Sequence, residues 1–431
     1  MIPTIRAQPA TLPHMETLTT QSRKIGLLIV GVLLIGAALR APMTSIPPLL
    51  EQIREQFELG TLALGMVTTL PLLALGAISP LAGMISVRLG LERAIMGSMV
   101  LILAGTLLRS AGPLWALYVG TFVVGGGIAV GNTLLPSLLK RDLPHHIPVM
   151  TASYVLTMGI ASGIASAVVV PLSHVAQGGW SMAAAAMAFW PVIAALAWMP
   201  QWGARRTASP DKLASASTPG AAANEATASP PATPAPPRKG QLWKVPLAWQ
   251  VTAFLGLNSM LYYVMVSWMP AMLAEAGYTP QQAGSLHGLL QLATALPGLL
   301  MIPLVRRPQH HRLLAAVLSI LFGCGLVGVA LVPQWAVLWT VAYGMAAGAT
   351  LILGLSFVGL RATSPQQAAR MAGMAQSLGY LLAAAGPLLA GWLHERTHAW
   401  TTVLTWAFGL TLIMAFMGWK AGRLVQLPSH S

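Results

Sequence analysis

Apolar residues run along this chain in long blocks separated by short polar breaks. Blocks of spanning length fall at 25–50, 59–85, 94–110, 113–139, 148–172, 181–200, 247–274, 281–304, 313–332, 335–360, 371–393 and 400–419. About 20 apolar residues in a helix cross a hydrocarbon core of ~30 Å, and in lipid a single segment satisfies its own backbone only as a helix. The pattern predicts an all-α membrane protein with twelve transmembrane helices.

The longest hydrophilic stretch, 201–245, divides these blocks six and six. Its middle, Thr207–Pro237, is rich in Ala, Ser, Thr and Pro, the composition of a disordered linker. The halves look related at an offset of about 220 residues: Lys140-Arg141 ends the fourth block as Arg361 ends the tenth. Gly127-x-x-x-Gly131 matches Gly344-x-x-x-Gly348, and Pro47-Pro48 has a counterpart at Pro270. Small residues four apart let helices approach closely. The predicted layout is an N-terminal tail (1–24), a six-helix half (25–200), the linker (201–245), a pseudo-symmetric six-helix half (246–420) and a C-terminal tail (421–431).

Composition agrees with this pattern. Of 431 residues 55% are hydrophobic and 8% charged, against about 25% charged in soluble domains, and the mean hydropathy is +0.69. A net charge of +14 in a soluble protein would point to nucleic acid. Here the cations are scattered through short loops, so no nucleic-acid partner is expected. They alternate by loop: all but Arg40, Arg54, Arg109 and Arg396 of the 24 Lys and Arg fall on one side, while Glu51, Glu55 and Glu58 lie on the other. The positive-inside rule then puts both termini in the cytoplasm. The run after Arg23-Lys24 is too long and too proline-broken for a cleaved signal peptide. The single Cys324 cannot form an intramolecular disulfide.

The first block carries the candidate chemistry. Ile25–Leu39 is too short to cross alone, so the span runs on through Arg40. That sets a fixed charge about 22 Å along the helix at about 1.5 Å per residue, at a cost of about 2.5–3.5 kcal/mol on insertion scales. Pro42, Pro47 and Pro48 follow and free carbonyls four residues back. Irregular backbone at this depth is tolerated where it lines a cavity or is buried in protein. A snorkelling arginine is the plain alternative; the prolines favour a substrate site.

Other polar residues recur at helical spacing: His287, Gln291 and Thr294; Asn258 and Tyr262, with Tyr263 alongside; Gln376 and Tyr380; Tyr154 and Thr157; and Asn132. Polar faces of lipid-surrounded helices turn inward. Arg40, Thr44, Asn132, Tyr154, Asn258, Tyr262, Tyr263, His287, Gln291, Gln376 and Tyr380 are therefore the expected substrate-binding residues, with interhelical hydrogen bonding as the alternative role. The spans hold no Asp or Glu, which argues against a familiar proton relay. Arg40 is expected to be the only cation well inside a span, met by freed carbonyls or by the substrate itself. His394-Glu395-x-x-His398 matches a zinc-protease pattern, but it falls in a turn with no third ligand nearby, whereas catalytic zinc takes three. No Walker loop occurs. No metal, cofactor or enzymatic activity is expected.

The stretch 83–93, GMISVRLGLER, resembles the loop signature that gates the cytoplasmic side of major-facilitator transporters. Gly83, Arg88, Gly90 and Arg93 fit it, while Val87 stands where the signature has Asp. Leu39-Arg40, Thr44-Ser45 and Pro48-Leu49-Leu50 resemble the first helix of the cyanate/2-nitroimidazole porter family of that superfamily, the CynX/NimT type. GGGIAVGN at 125–132, KRDLPH at 140–145, PLAWQ at 246–250, AGSLHGLLQLAT at 283–294 and GMAQSLGY at 373–380 are similar to its 2-nitroimidazole exporter branch.

The resemblance implies the major facilitator fold. It also implies a bacterial inner-membrane transporter working by alternating access on a small polar solute, with 2-nitroimidazole efflux first and cyanate transport second. A nitro-aromatic would stack on Tyr262, Tyr263 or Trp268 and meet Arg40, whose planar fork suits two-oxygen groups. The expected partners are this solute and the lipid bilayer, with the chain acting as a monomer. A non-transporting sensor is the rival, but it would need an output domain that 201–245 does not supply.

Overall fold

The computed structural model describes residues 13–175, 178–202, 242–301, 304 and 308–427, and every regular element among them is a helix. In chain order these are α1 (Pro13–Thr44), α2 (Leu50–Phe57), α3 (Thr61–Leu89), α4 (Leu91–Arg109), α5 (Leu114–Asp142), α6 (Ile147–Val175), α7 (Gly179–Ala186) and α8 (Phe189–Trp202). After the linker come α9 (Pro246–Glu275), α10 (Pro280–Ala295), α11 (Pro297–Leu300), α12 (His311–Leu331), α13 (Ala336–Arg361), α14 (Pro365–Thr397) and α15 (Trp400–Ala421).

Ten segments among the described residues are long and apolar enough to cross a membrane. The other two expected passes take less regular forms. The eighth is α10, only 16 residues long, followed after Leu296 by the short α11. The eleventh is α14, 33 residues long but more polar. The sixth pass is interrupted between α7 and α8.

The boundaries differ from expectation at the polar ends. Residues 13–24, expected as part of the tail, already belong to α1. Most of the linker 201–245 lies outside the described residues; its first two residues finish α8, and Leu242–Lys244 form a 3₁₀ turn. In the C-terminal tail Leu427 is buried, and its N–H donates to the Arg361 carbonyl at 2.8 Å.

Within the first half α1 packs on α6, and α5 packs on α3 and α4. Within the second, α9 packs on α14 and α10 on α13. The halves meet along two helix pairs, α3 with α14 and α6 with α10. Glycine sets the second of these: a Cβ on Gly288 would stand 2.6 Å from the Gly163 carbonyl oxygen. The repeated glycine motif packs differently in the two halves. Gly127 lies against Ser98 and Ile102 of α4, whereas Gly344 lies against Leu290 and Ala293 of α10.

One end of the bundle carries Glu51, Glu55 and Glu58; the other carries Arg88, Arg93, Lys140 and Arg141. The acidic end is clasped between the halves. Thr69 donates to the Ala384 carbonyl at 3.1 Å, the Leu62 N–H donates to Glu395 at 3.2 Å, and Gly391 leaves room for the Thr61 carbonyl.

Candidate functional site

Helix α1 does not stop at Arg40. It continues through Pro42 to Thr44 and breaks at Ser45 and Ile46, ahead of a 3₁₀ turn over Pro47–Leu49. Of the carbonyls expected to be free, those of Ala38, Met43 and Thr44, the last gains a new donor, and carbonyls beside them are held by hydroxyls and by the last helical N–H. The Thr44 hydroxyl donates to the Arg40 carbonyl at 3.2 Å, the Ser45 N–H donates to the Ala41 carbonyl at 3.2 Å, and Ser45 Oγ donates to Pro42 at 3.0 Å. The Thr44 carbonyl accepts from Ser166 Oγ of α6 at 3.0 Å. Hydroxyls thus replace the missing helical donors, as membrane helices require at proline breaks. These carbonyls are therefore not the partners of Arg40.

The partner is Tyr262 of α9. The half-buried Arg40 guanidinium donates to the Tyr262 hydroxyl, and its carbon lies 5.4 Å from the centre of that ring. It also interacts with Tyr263, whose ring meets Tyr262 edge to face at 5.2 Å. The Tyr262 hydroxyl donates to Gln291 Oε1 at 2.7 Å. Gln291 Nε2 lies 3.4 Å from His287 Nε2, one turn back on α10, a contact between neighbours and not a hydrogen bond while His287 Nε2 carries its proton. His287 closes the circuit, with Nδ1 3.0 Å from Ser166 Oγ and Nε2 2.9 Å from the Val266 carbonyl. From Ser166 the path returns to Thr44, whose hydroxyl accepts from Ser162 at 2.8 Å. One ring of polar groups so joins α1 and α6 of the first half to α9 and α10 of the second.

Proton accounting limits His287. A carbonyl only accepts, so Nε2 carries the hydrogen facing Val266. Ser166 has one hydroxyl proton, which goes either to His287 Nδ1 or to the Thr44 carbonyl. The imidazole is 0% exposed, with both nitrogens engaged, so it braces the two halves.

The remaining expected site residues divide. Tyr380 of α14 is half-buried and close enough to Arg40 and Tyr263 to interact with both. Tyr154 of α6 packs on Gly36, one turn before Arg40. Asn258 is buried within the second half, where Thr350 donates to it. Asn132 and Gln376 are half-buried on α5 and α14 and take no part in the ring. Trp268, expected as a stacking platform, is enclosed instead: its indole donates to the Pro387 carbonyl at 2.9 Å and its ring lies against Trp400. Thr294 turns its hydroxyl back to the Leu290 carbonyl.

At the basic end Gly90 joins α3 to α4 with φ 87°, a conformation that favours glycine. Gly83 is half-buried, while Arg88 and Arg93 are exposed. The charge pairing absent at Val87 is made elsewhere: Arg141 donates to Glu92 at 2.6 Å and to Asp142 at 2.8 Å, tying α5 to α4. At the acidic end the zinc-protease pattern is occupied structurally. Glu395 accepts from Leu62, His394 stacks on Trp400, and His398 closes α14 with φ 51°.

Ser162 and Ser166 escaped the sequence reading, although their i, i+4 spacing beside Gly163 marks one small, polar face. Arg109 also escaped it. Placed by its loop on the outer side, it is in fact 1% exposed, which corrects the expectation that Arg40 is the only enclosed cation of the spans.

Apolar helical passes in two halves, joined by a polar ring around an arginine, define a membrane transporter of small solutes. The chain belongs to the Major Facilitator Superfamily, which it matches over residues 28–387; it is a multi-pass transporter and not an enzyme. It is 44% identical over 396 residues to the 2-nitroimidazole transporter of Escherichia coli (strain K12), covering 92% of this chain and 95% of that one. Identity to the cyanate transport protein CynX of the same organism is 26% over 393 residues, covering 90% and 95%. In fold it is similar to a bacterial homolog of the human lysosomal transporter Spinster in an inward-facing and occupied conformation, with TM-score 0.73, 14% identity, and 92% and 96% of the two chains covered. It is likewise similar to a D-xylose–proton symporter, with TM-score 0.70, 13% identity, and 94% and 100% covered.

Proposed function

We propose that this chain exports 2-nitroimidazole, or a nitro-heteroaromatic of similar size, across the bacterial inner membrane by alternating access between its two halves. The observation that carries this reading is the partner of Arg40. A phenol hydroxyl fixes the guanidinium but leaves its unit charge uncompensated. The planar fork suits a two-oxygen group, and the rings of Tyr263 and Tyr380 flank it. The 44% identity to a protein named a 2-nitroimidazole transporter supports the same choice.

Arg40, Tyr262, Tyr263, Gln291 and Tyr380 contact the solute in this reading. Thr44, His287 and Asn258 hold the frame, and Asn132, Tyr154 and Gln376 complete the walls. Gly83, Arg88, Gly90 and Arg93 gate the cytoplasmic side. Both termini and the 201–245 linker lie in the cytoplasm, and the chain works as a monomer. A second reading, transport of cyanate or another small anion, rests on the same uncompensated charge and on the similarity to CynX.

The test compares accumulation of labelled 2-nitroimidazole and labelled cyanate in cells with and without the protein, each with and without an ionophore. Export predicts lower 2-nitroimidazole in expressing cells. Unchanged 2-nitroimidazole with altered cyanate selects the second reading.

A further inference from the structure

The last turn of α4 holds a further enclosed arginine of the bundle. Arg109 is surrounded by protein on every side, at 1% exposure, so it does not snorkel to an interface. It lines a small cavity with Thr68 of α3, Thr121 of α5, and Tyr263 and Ser267 of α9. Most of the remaining lining is apolar, Met43, Val67, Pro71 and Val124 among it. Nη2 lies 3.5 Å from Ser45 Oγ, whose own proton goes to the Pro42 carbonyl. Among the described residues Nε finds no acceptor, and the buried Thr121 hydroxyl finds no partner. No carboxylate among the described residues lies within ion-pair distance of Arg109.

A buried, unpaired charge costs several kcal/mol, and unmet donors add to that. An anion removes both penalties at once, because it supplies the missing acceptor and the missing charge. The space limits its size. The cavity admits about 20 Å³ of water centres, enough for one particle of water size and too little for an aromatic ring. Its place is separate from the Arg40 site, since Tyr263 stands between them, touching Arg40 and lining this cavity.

We propose that Arg109 and Thr121 bind one small inorganic anion, of halide size, between the Arg40 site and the acidic end. Tyr263, Val266 and Ser267 belong to the second half, and the other lining groups to the first. The bound anion therefore clasps the halves in the conformation closed at the acidic end, and it favours that conformation by its differential affinity. The site stands whichever solute Arg40 reads.

The test uses the purified full-length protein in detergent. Thermal unfolding is followed in chloride, in cyanate and in gluconate at equal ionic strength, for the natural protein, Arg109→Gln and Arg40→Gln. The expected result is a saturable rise in melting temperature with chloride over gluconate, kept in Arg40→Gln and lost in Arg109→Gln. A chloride response marks a resident ion; a response to cyanate alone, an ion longer than this space admits, overturns the proposal. Thr121→Val keeps the shape and removes one hydrogen bond, so half-saturation should rise about fivefold. This variant also serves if Arg109→Gln does not fold. Equal melting in all three salts, or an undiminished response in Arg109→Gln or Thr121→Val, overturns the proposal.

Discussion

Arg40 of the first half donates to the Tyr262 hydroxyl of the second, so the enclosed charge of α1 is held by the domain that must move relative to it. The same hydroxyl donates onward to Gln291. A change in what occupies the Arg40 fork is therefore felt directly at α9 and α10, without an intervening chain of packed side chains.

Tyr262→Phe isolates that link. The variant keeps the ring beneath the guanidinium and removes the hydroxyl. A hydrogen bond to a charged group contributes about 1.5–3 kcal/mol, so the affinity for transported solute should fall roughly 10- to 100-fold. Solute-binding titrations on the purified protein check this, and expression should be unchanged.

His287→Ala tests the bracing role of the imidazole. It leaves the Val266 carbonyl without its imidazole donor, removes one of the two partners of Ser166, and opens a void between α6 and α10. Each unmet buried group costs about 1–3 kcal/mol, so the melting temperature in detergent should fall clearly. His287→Asn restores one polar contact and should fall less. Equal melting for all three proteins would remove His287 from the brace.

Gly288→Ala and Gly373→Ala form a matched pair. The first places a methyl 2.6 Å from the Gly163 carbonyl oxygen, whereas the second meets nothing within 4 Å. Overpacking of this kind costs about 1–3 kcal/mol. Transport and melting temperature should drop for Gly288→Ala and hold for Gly373→Ala, as read from flux and unfolding of the purified variants.

Glu92 and Arg141 should be coupled. Their ion pair at 2.6 Å is largely sheltered, with 9% and 21% of the two side chains exposed. Neighbours in one charge network show interaction energies of about 0.5–3 kcal/mol. A double-mutant cycle on Glu92→Gln and Arg141→Gln, read by unfolding, should fall in that range. Additive effects would show the pair to be independent.

The orientation is tested by cysteine labelling. With Cys324 replaced by Ser, a cysteine at Glu58 should react with an impermeant maleimide in intact cells. A cysteine at Lys212 should react only after the membrane is opened. The reverse pattern would invert the topology.

Much of the fold was legible because burial in lipid imposes a one-dimensional rule: each pass needs an apolar run of set length. The passes now formed by α1, α3, α5 and α9 stood out on that basis. The polar residues on α10 were also legible, since His287 and Gln291 share a face by spacing alone. Their partners were not. The pairing of Arg40 with Tyr262 joins residues 222 apart, and no local pattern encodes it. Trp268 looked like a free aromatic because sequence cannot show that Pro387 and Trp400 already cover it.

The sequence by itself determined the number of passes, the division into halves, the fixed charge in the first helix and the asymmetry of the loops. These follow from hydropathy, helix rise and charge, which are local properties. Only the tertiary structure decided what each polar group meets. It gave the Thr44 carbonyl to Ser166, gave Arg40 to Tyr262, and enclosed Arg109 with no carboxylate among the described residues beside it. Those outcomes depend on which helix faces which, and that is set by the close approach of α6 to α10 and of α3 to α14, where glycine lets backbones touch.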